Sequence, residues 1–319
     1  LLSIICHTLI QMYLKCFQIL QRYQLVAVQE IMDSDNAAVK HLVHQLNQES
    51  GCHYNFILSD HLGRSSYRER YAFVYNEELL QPLDWYHYDD GCEECGTDSF
   101  IREPFIVKFS SPSTELVLVV IHTSPDYAVQ EVDSLFDVWT DAKQHFNTED
   151  VIILGDFNAD CSFLPANKWP LVRLRQSKAL SWLIVDSEDT TVSVNTHCAY
   201  DRIVASGTVP DTIIPGSASA FNYQKALGLL YDKARDVSDH YPIEVEVKDT
   251  TWDGMMFEPS SSLGIEGGQS GMPCDCVGVD FTTCKGRCGA YNPSLPCHCN
   301  ASCSKYNSCC ADYKEFCQD

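Results

Sequence analysis

Acidic, amide and imidazole side chains recur where apolar, strand-like segments of this chain end. Asp156 and Asn158 follow the run VIILG at 151–155, a placement that alone carries little weight because Asp and Asn are common turn formers. The same placement, directly after or before an apolar segment, is found for Glu30, His122, Asp201, Asp239 and His240. Four acids, one Asn and two His at strand ends favour a single convergent polar site over scattered turns.

Hydrolysis of a phosphodiester is the chemistry that this set suits. The reaction needs a deprotonated water, stabilisation of charge on the non-bridging oxygens and a proton for the leaving oxygen. Asp, Glu and Asn oxygens are ligands that Mg²⁺ prefers, and the cation supplies the charge stabilisation. Two histidines can act as base and acid, each held in one tautomer by a carboxylate. A lone His is more often a residue without a catalytic role, but two beside metal-type carboxylates favour catalysis.

Apolar runs predict the strands that position this site. Two further segments, 39–46 and 129–139, carry apolar residues at helical spacing. Together they predict a large α/β domain built from packed layers rather than a helix bundle. The predicted strands are 25–29, 71–75, 105–110, 115–122, 151–155 and 242–247.

The first 20 residues are rich in Leu and Ile but are interrupted by polar residues such as His7, Gln11 and Lys15. A membrane span needs about 20 mostly apolar residues in succession, so none is predicted here. The segment also lacks a small-residue cleavage site of a signal peptide. We expect an amphipathic helix of the main domain, with the true start of the protein upstream of Leu1.

Composition and charge limit the classes of protein that fit. The chain has 319 residues, 45% of them hydrophobic, enough for one large domain and a small module. Its 44 acidic and 22 basic residues give a formal net charge of −22, which excludes a passive nucleic-acid coat protein. An enzyme that binds phosphate through divalent cations is not excluded, because the cation reverses the local field.

Motifs spread over residues 20–249 resemble the deoxyribonuclease I family in their order and spacing. This resemblance implies the endonuclease/exonuclease/phosphatase fold, an α/β (α+β) four-layer β-sandwich of two sheets flanked by helices. The motifs that carry it include VQE (28–30), SYRERY (66–71), DDGCEECGTDSF (89–100), IHTSPD (121–126), LGDFNADCS (154–162), CAYDRIV (198–204) and SDHYP (238–242).

The resemblance implies a role for each residue of the site. His122 corresponds to the acid-side histidine, supported by Glu69, and His240 to the base-side histidine, supported by Asp201. Catalytic divalent ions, Mg²⁺ or Mn²⁺, are implied at Glu30, Asp156, Asn158 and Asp239. Contacts with the DNA backbone or groove are implied for Tyr67, Arg102 and Tyr200.

Structural calcium and two disulfides are implied by the same resemblance. The disulfides are Cys92–Cys95 and Cys161–Cys198; by its spacing alone, CEEC is equally compatible with a redox or half-zinc motif. A second calcium site is implied near Asp189 and Thr191, where the loop before Cys198 is one residue longer than in the family. The first calcium site is implied at Asp90, Asp98, Phe100 (by its carbonyl) and Glu103.

Two departures from the family pattern concern the grip on DNA. No segment before Gln24 resembles the family's first strand, which carries an Asn near the metal and an Arg that enters the minor groove. Either the sequence starts downstream of this strand or the protein lacks these groups, so we expect the strand to be missing here. Met32 stands where the family has another Arg. Because Met cannot bond a phosphate or a base edge, we expect a weaker hold on the groove.

A linker and a cysteine-rich module follow the main domain, which spans residues 1–249. Eleven of the residues in 250–273 are Gly, Ser or Pro, which predicts a flexible linker. Ten of the 17 cysteines lie in 274–319, a density that indicates disulfides or a metal site. Adjacent cysteines and the lack of paired CxxC motifs disfavour zinc. Cys274 and Cys276 have no assigned partner.

Eight cysteines of this module resemble those of a somatomedin-B domain. That family implies four bridges that replace a core too small to be stable alone, and binding of proteins rather than catalysis. The spacing does not choose among the possible pairings. The eight residues are Cys284, Cys288, Cys297, Cys299, Cys303, Cys309, Cys310 and Cys317.

The sequence as a whole predicts a secreted, metal-dependent endonuclease that hydrolyses DNA, with Mg²⁺ or Mn²⁺ and Ca²⁺ as cofactors. The module is expected to bind an unidentified extracellular protein and so localise the enzyme. An alternative is a catalytically impaired nuclease-fold scaffold whose main role is protein binding, which the apparent loss of the first strand and Met32 both favour. A weaker alternative keeps the site but changes the substrate to a phospholipid or small phosphoester.

Overall fold

A computed structural model describes residues 2–5, 13–92 and 95–248, with only the backbone given for 2–5 and 13–15. The predicted linker and the cysteine-rich module lie outside these residues. The described chain forms two six-stranded sheets whose orders are β11-β12-β1-β2-β4-β3 and β5-β6-β7-β8-β10-β9.

The first sheet combines strands from both ends of the domain. Its strands are β1 (Leu2–Ile5), β2 (Leu25–Ile31), β3 (Tyr54–Leu58), β4 (Arg70–Asn76), β11 (Ser219–Ala220) and β12 (Ile243–Glu244). The second sheet comes from the middle of the chain. Its strands are β5 (Gln81–His87), β6 (Phe105–Ser110), β7 (Glu115–Val120), β8 (Val151–Asp156), β9 (Leu180–Trp182) and β10 (Asp201–Ser206).

Helices cover the outer faces of both sheets. The two longest lie on opposite sides and present the apolar stripes that their sequences predict. The helices are α1 (Tyr13–Leu20), α2 (Ala37–Ser50), α3 (Ala128–Phe146), α4 (Arg173–Gln176), α5 (Val209–Thr212), α6 (Tyr223–Ala226) and α7 (Tyr231–Val237), with 3₁₀ turns at Pro125–Tyr127 and Ala166–Leu171. None of these helices is long and apolar enough to cross a membrane, within the part of the chain described.

The core between the sheets is formed by large apolar side chains on alternate strand positions. Phe73 of β4 packs edge-on against Phe109 of β6, with ring centroids 5.7 Å apart, and both are almost completely buried. Burial of such a side chain contributes about 1.5–3 kcal/mol, so this layer holds the two sheets together. The predicted four-layer architecture, helices outside two packed sheets, is confirmed.

The start of the chain differs from its prediction. One amphipathic helix over residues 1–20 is wrong for Leu2–Ile5, which is a strand, whereas Tyr13–Leu20 is helical. β1 pairs in parallel with β2 and antiparallel with β12, so it fills the interior of the first sheet. The expectation that no strand stands here is therefore also wrong, although Leu2–Ile5 contains neither the Asn nor the Arg of the family's first strand. Without β1, the facing backbone groups of β2 and β12 would lack partners inside the sheet, and this requirement overrides the weak helical periodicity of the segment.

The end of the described chain runs away from the polar strand ends. Of the predicted strand 242–247, only Ile243–Glu244 is regular strand, and the chain then continues to Lys248, whose N–H donates to the Thr212 carbonyl at 2.8 Å. Lys248 lines a groove of about 320 Å³ together with Leu25, Glu115 and Asp150. Because these three residues stand at or just before the starts of β2, β7 and β8, Lys248 lies at the opposite end of the sandwich from the residues that follow those strands.

Candidate active site

The polar residues predicted at strand ends meet at one edge of the sandwich. Asp156 ends β8, and Asp201 begins the antiparallel strand β10 directly opposite it. His122 lies two residues beyond β7, and His240 lies just before β12. Glu30 reaches the same edge from β2, in the other sheet, where the pairing with β4 is irregular between Val28 and Ile31. The site is therefore built from both sheets.

The backbone at Glu30 is left-handed, with φ at 58°, which is uncommon for a residue other than glycine. The register irregularity on β2 permits this conformation, because a bulge re-aims a side chain relative to the regular strand. Its carboxylate oxygen Oε1 lies 4.0 Å from Nδ1 of His122. Such strain costs about 1–3 kcal/mol and is typical of functional sites.

His122 and Glu69 form a buried pair. Nδ1 of His122 lies 2.9 Å from the Glu69 carboxylate, so Nδ1 carries the proton and Nε2 is left for chemistry. Burial raises the pKa of Glu69, but the hydrogen bond and charge of His122 and the charge of Arg102 outweigh burial and hold the pKa below its usual value. Glu69 is therefore an anion that orients the imidazole. The Tyr71 hydroxyl accepts a hydrogen bond from the His122 N–H at 3.0 Å and so holds the backbone of the histidine as well.

His240 and Asp201 form the second pair, with Nδ1 of the histidine 2.6 Å from the carboxylate. Burial lowers the pKa of His240, but the negative charges of Asp201 and Asp156 and the hydrogen bond to Asp201 prevail and raise the pKa to about 10. Burial, together with the charge of Asp156, raises the pKa of Asp201 despite the nearby His240. A cation bound at Asp156 would offset the negative charge that favours protonation of this pair.

Both imidazoles face a single oxygen atom. Nε2 of His122 lies 3.7 Å from Oδ2 of Asp156, and Nε2 of His240 lies 3.9 Å from the same Oδ2. One ligand atom each from Asp156, Asp201 and His240 also falls within 4.8 Å of the others. Crowded carboxylate oxygens beside imidazole nitrogens suit Mg²⁺ or Mn²⁺, so the residues present fit a divalent cation.

Asn158 is held in place by its own hydrogen bonds. Its backbone, at φ 47°, is left-handed, and its N–H donates to Oδ1 of Asp156 at 2.8 Å. The side-chain amide donates to the carbonyl of Thr123 at 3.0 Å. This arrangement leaves the amide oxygen as the side-chain acceptor next to Asp156, where it can serve a cation. Asp239 is half-buried beside His240, and its carbonyl accepts from the Val192 N–H at 2.7 Å.

Comparisons with known proteins agree with this geometry. The model of the Endonuclease/Exonuclease/phosphatase family matches residues 13–240, and that of the Somatomedin B domain matches 282–319. Deoxyribonuclease-1 of Equus caballus is 49% identical over 72% of this chain and 82% of its own length. Deoxyribonuclease-1 of Gallus gallus is 48% identical, over 72% and 83%. The chain belongs to the deoxyribonuclease I family.

Solved structures of low sequence identity share the fold of this deoxyribonuclease I family member. An endonuclease/exonuclease/phosphatase family protein from Leptotrichia buccalis superimposes with a TM-score of 0.56 at 15% identity, covering 78% of this chain and 98% of its own. The two-sheet architecture is thus common to proteins whose sequences have diverged widely.

The predicted DNA-contact residues of this family member occupy different environments. Tyr67 is 53% exposed at the edge of the site, and the half-buried Tyr200 ring lies 5.9 Å from the ring of His240. Both tyrosines are thus near the histidines. Met32, where the family has Arg, is 41% exposed.

Arg102, the third predicted contact, points into the protein. It is only 8% exposed, and its guanidinium donates to Glu69 Oε1 at 3.1 Å and to the carbonyls of His122 and Thr123 at 2.9 Å each. Three of its donors therefore serve the acid-side pair and the segment that carries it. In this structure Arg102 is a positioning residue for Glu69 and His122.

The remaining predicted site residues lie in loops, and one of them, Thr191, forms an isolated β-bridge with His240. The Cys92–Cys95 and Cys161–Cys198 disulfides are both formed. Residues 90–103 lie between β5 and β6, and 189–191 precede β10. Glu103 is half-buried in the first loop. Their carboxylate and carbonyl oxygens suit Ca²⁺ chemically, but several of these oxygens already accept hydrogen bonds from the protein.

Gln29 is a functional residue that sequence reasoning missed. It is fully buried, and its amide bridges the two sheets: Nε2 donates to the Ile121 carbonyl at 2.5 Å, and Oε1 accepts from the Asp156 N–H at 3.2 Å. The bridge thus joins the neighbours of Glu30 and His122 to Asp156 itself. A Cβ on Gly155 would lie 2.0 Å from the Ile121 oxygen and 2.5 Å from Gln29 Nε2, so this close approach requires glycine. The only signal in the sequence is one polar residue inside the apolar run LVAVQ.

Glu131 is a second missed residue. It is buried in the first turn of α3, where its two oxygens accept from the N–H groups of Ile101 (3.1 Å) and Ser124 (2.8 Å). It therefore ties together the segments that follow His122 and precede Arg102. An acidic residue on a helix face is usually solvated, so Glu131 could not be selected from the sequence.

We expect Gln29→Met to lower the free energy of unfolding by about 2–5 kcal/mol, because two buried backbone groups lose their partner. The same change should lower kcat for DNA cleavage by about tenfold, since the hydrogen bonds that fix Glu30, His122 and Asp156 relative to one another are lost. Chemical denaturation and plasmid-nicking rates measure the two effects. The matched control is Gln24→Met at the other end of β2, which loses the hydrogen bond from Asn76 far from the site. Equal nicking rates for the two variants would contradict the positioning role.

Proposed function

We propose that this chain is a secreted endonuclease that hydrolyses the phosphodiester bonds of DNA with the help of divalent metal ions. The observation that carries the proposal is the approach of two His–carboxylate pairs to one oxygen of Asp156, at 3.7 and 3.9 Å. The identity of about half of the residues with proteins named Deoxyribonuclease-1 supports DNA as the substrate. The chain is accordingly a hydrolase of this family.

Mg²⁺ or Mn²⁺ is the proposed catalytic cofactor. When bound, it stabilises the negative charge that develops on the phosphate oxygens. The residues proposed to hold it are Glu30, Asp156, Asn158 and Asp239. Asp201 lies within reach of the same position, although its hydrogen bond to His240 commits one oxygen to the histidine. Ca²⁺ is proposed as a structural ion at Asp90, Asp98, the Phe100 carbonyl and Glu103, and near Asp189 and Thr191.

The two histidines are proposed to move protons on opposite sides of the scissile phosphate. His240, with Nδ1 bonded to Asp201, accepts a proton from the attacking water at Nε2. His122, with Nδ1 bonded to Glu69, donates a proton from Nε2 to the leaving oxygen. Glu69 is suited to the acid-side pair because its negative charge stabilises an imidazolium. Arg102 holds Glu69 and His122 in position relative to each other during the proton transfer.

Secretion and protein binding are proposed for the remainder of the chain. Cys16 and Cys52 are each disulfide-bonded, in addition to the two bridges already described, and disulfides persist in oxidising compartments. We propose that residues 250–273 are a linker and that 274–319 form the module whose greater part matches the Somatomedin B model. Its proposed partner is an unidentified extracellular protein.

The alternative of a catalytically impaired scaffold has no supporting observation. The strand whose apparent loss favoured it is present as β1. Both His–carboxylate pairs and the carboxylates around Asp156 are assembled. An assembled arrangement of this kind favours hydrolysis over a surface that only binds protein.

Nicking of supercoiled plasmid by the purified, disulfide-intact chain tests the proposed function. We expect open circles in buffer with Mg²⁺ and Ca²⁺ and none with EDTA, because the proposed chemistry depends on the cation. His122→Ala provides the control for a contaminating nuclease. A folded sample that leaves the plasmid supercoiled in the presence of metal would contradict the proposal.

A further inference from the structure

Arg64 holds the loop between β5 and β6 through its guanidinium. Both nitrogens on one edge engage Asp98: Nη2 bonds Oδ1, and Nε donates to Oδ2 at 3.0 Å. Nη2 also donates to the carbonyl oxygen of Phe100 at 3.0 Å. The side chain of Asp98 is 8% exposed and that of Arg64 is 33% exposed, so the pair is partly shielded from water. Bidentate pairs of this kind are among the stronger hydrogen-bonded contacts in proteins.

The oxygens that Arg64 engages belong to the set predicted to bind calcium. Of the four predicted donors, Asp98 and the Phe100 carbonyl are both engaged by the guanidinium. A third, Asp90, uses Oδ2 to accept from the N–H groups of Ser99 (2.9 Å) and Phe100 (2.6 Å). The loop is thus closed around a positive charge that the chain itself supplies.

We propose that Arg64 is the resident cation of this loop and that Ca²⁺ binds there only by displacing it. The guanidinium already uses one lone pair on each Asp98 oxygen and one on the Phe100 carbonyl, and a calcium ion at about 2.3–2.6 Å from the same oxygens would lie next to it. The two positive charges would moreover repel each other at such short range. Arg64 and Ca²⁺ therefore compete, and the calcium affinity of the loop is lowered by the free energy needed to release the arginine.

The contacts of Arg64 with Asp98 and Phe100 join two segments that carry residues of the acid-side pair. Arg64 lies between Leu62 and Glu69, which pair through two backbone hydrogen bonds of 2.8 and 3.0 Å. On the other side, Phe100 is two residues from Arg102. A cation between these segments, whether guanidinium or calcium, thus links the stretch that carries Glu69 to the stretch that carries Arg102. We infer that the loop keeps its closure when calcium is scarce.

The second predicted calcium loop, at Asp189 and Thr191, provides an internal reference for the calcium affinity of the Asp98 loop. Asp189 accepts from the N–H and hydroxyl of Thr191 and pairs with Nδ1 of His197 at 2.7 Å. Here the side chain of His197 is 67% exposed, so its pair is weak and easily displaced. The loop at Asp189 should therefore bind Ca²⁺ with an affinity that does not depend on Arg64.

Calcium titration of the full chain by calorimetry, for the wild type and Arg64→Met, tests the competition. We expect the dissociation constant of the Asp98 loop to fall by about tenfold or more in the variant, because a repelling charge and a competitor are removed together. In EGTA, Arg64→Met should unfold at a lower temperature than the wild type, and Ca²⁺ should raise its unfolding temperature by more. Arg68→Met is the matched control, since the exposed Arg68 guanidinium donates only to its own segment, at the Ser65 carbonyl.

Two further variants assign the effect to the loop. Asp98→Asn combined with Arg64→Met should lose the gain in calcium affinity, because the shared carboxylate is gone. Arg64→Lys keeps the positive charge without the fork and should give an intermediate affinity, which also tests the idea if Arg64→Met fails to fold. Equal calcium affinity in wild type, Arg64→Met and Arg64→Lys would overturn the proposal. The inference rests on the calcium site proposed above, but none of these readouts depends on DNA cleavage, so its failure can be told apart from a failure of the proposed nuclease activity.

Discussion

Replacing His240 with Ala is expected to lower the rate of plasmid nicking by about a hundredfold or more, the usual contribution of a positioned proton-transfer group. The variant removes the imidazole whose Nδ1 is bonded to Asp201 and whose Nε2 faces Asp156. No other imidazole of the described residues stands within hydrogen-bond distance of Asp201. Nicking rates at saturating plasmid and fixed Mg²⁺ measure the loss.

The control for this experiment is His197→Ala. His197 also pairs with an aspartate through Nδ1, but it lies on the exposed loop at Asp189. Its removal should leave the nicking rate within about twofold of the wild type, as expected for an exposed ion pair. Nicking by His240→Ala at the rate of His197→Ala would exclude His240 as a proton-transfer group.

Asp156→Asn is expected to have a larger effect, about a thousandfold or more, because it removes both a proposed metal ligand charge and the oxygen that faces the two histidines. The substitution keeps an acceptor for the Asn158 N–H, which Asp156 Oδ1 receives at 2.8 Å. The local backbone should therefore be retained, and the loss reports on charge. Residual activity should need more Mg²⁺ for half-maximal rate, which a metal titration of nicking reveals.

The matched control lies at the other end of the same strand. Asp150→Asn removes a carboxylate charge next to β8 while keeping an acceptor for the N–H and hydroxyl of Thr208. We expect near wild-type nicking and an unchanged Mg²⁺ requirement. An Asp156→Asn enzyme whose Mg²⁺ requirement matched that of Asp150→Asn would argue against Asp156 as a metal ligand.

The parts of the fold that could be predicted are those whose local signal and tertiary environment agree. The run FIVKFS at 105–110 is β6 to the residue, and VIILG lies within β8, because most residues of both strands are apolar and buried. β5 and β3 escaped prediction because edge strands with exposed, mixed side chains show little apolar periodicity. Leu2–Ile5 was misjudged for another reason: its strand is created by pairing with residues more than 20 positions away.

For the site, residue types predicted the chemistry, and the family resemblance indicated which carboxylate supports each histidine. The strand-end acids and histidines do converge, because parallel strand ends meet at one edge of a sheet and β10 returns antiparallel beside β8. The inward turn of Arg102 and the bridge of Gln29 could not be predicted, since both depend on side-chain packing between sheets. The same holds for Arg64, whose partner Asp98 is 34 residues away in sequence.

The place where the chain leaves the domain bears on what the enzyme can reach. β12 starts beside the histidines and the backbone then travels to Lys248 at the remote end. If the proposed module anchors the protein, its attachment beyond Lys248 would leave the edge that carries the histidines unobstructed. With the proposed linker over 250–273, the root-mean-square reach is about 25–30 Å. Digestion by a molecule anchored in this way would be confined to a shell a few nanometres deep around its attachment point, so the position of the anchor would limit which DNA the enzyme meets.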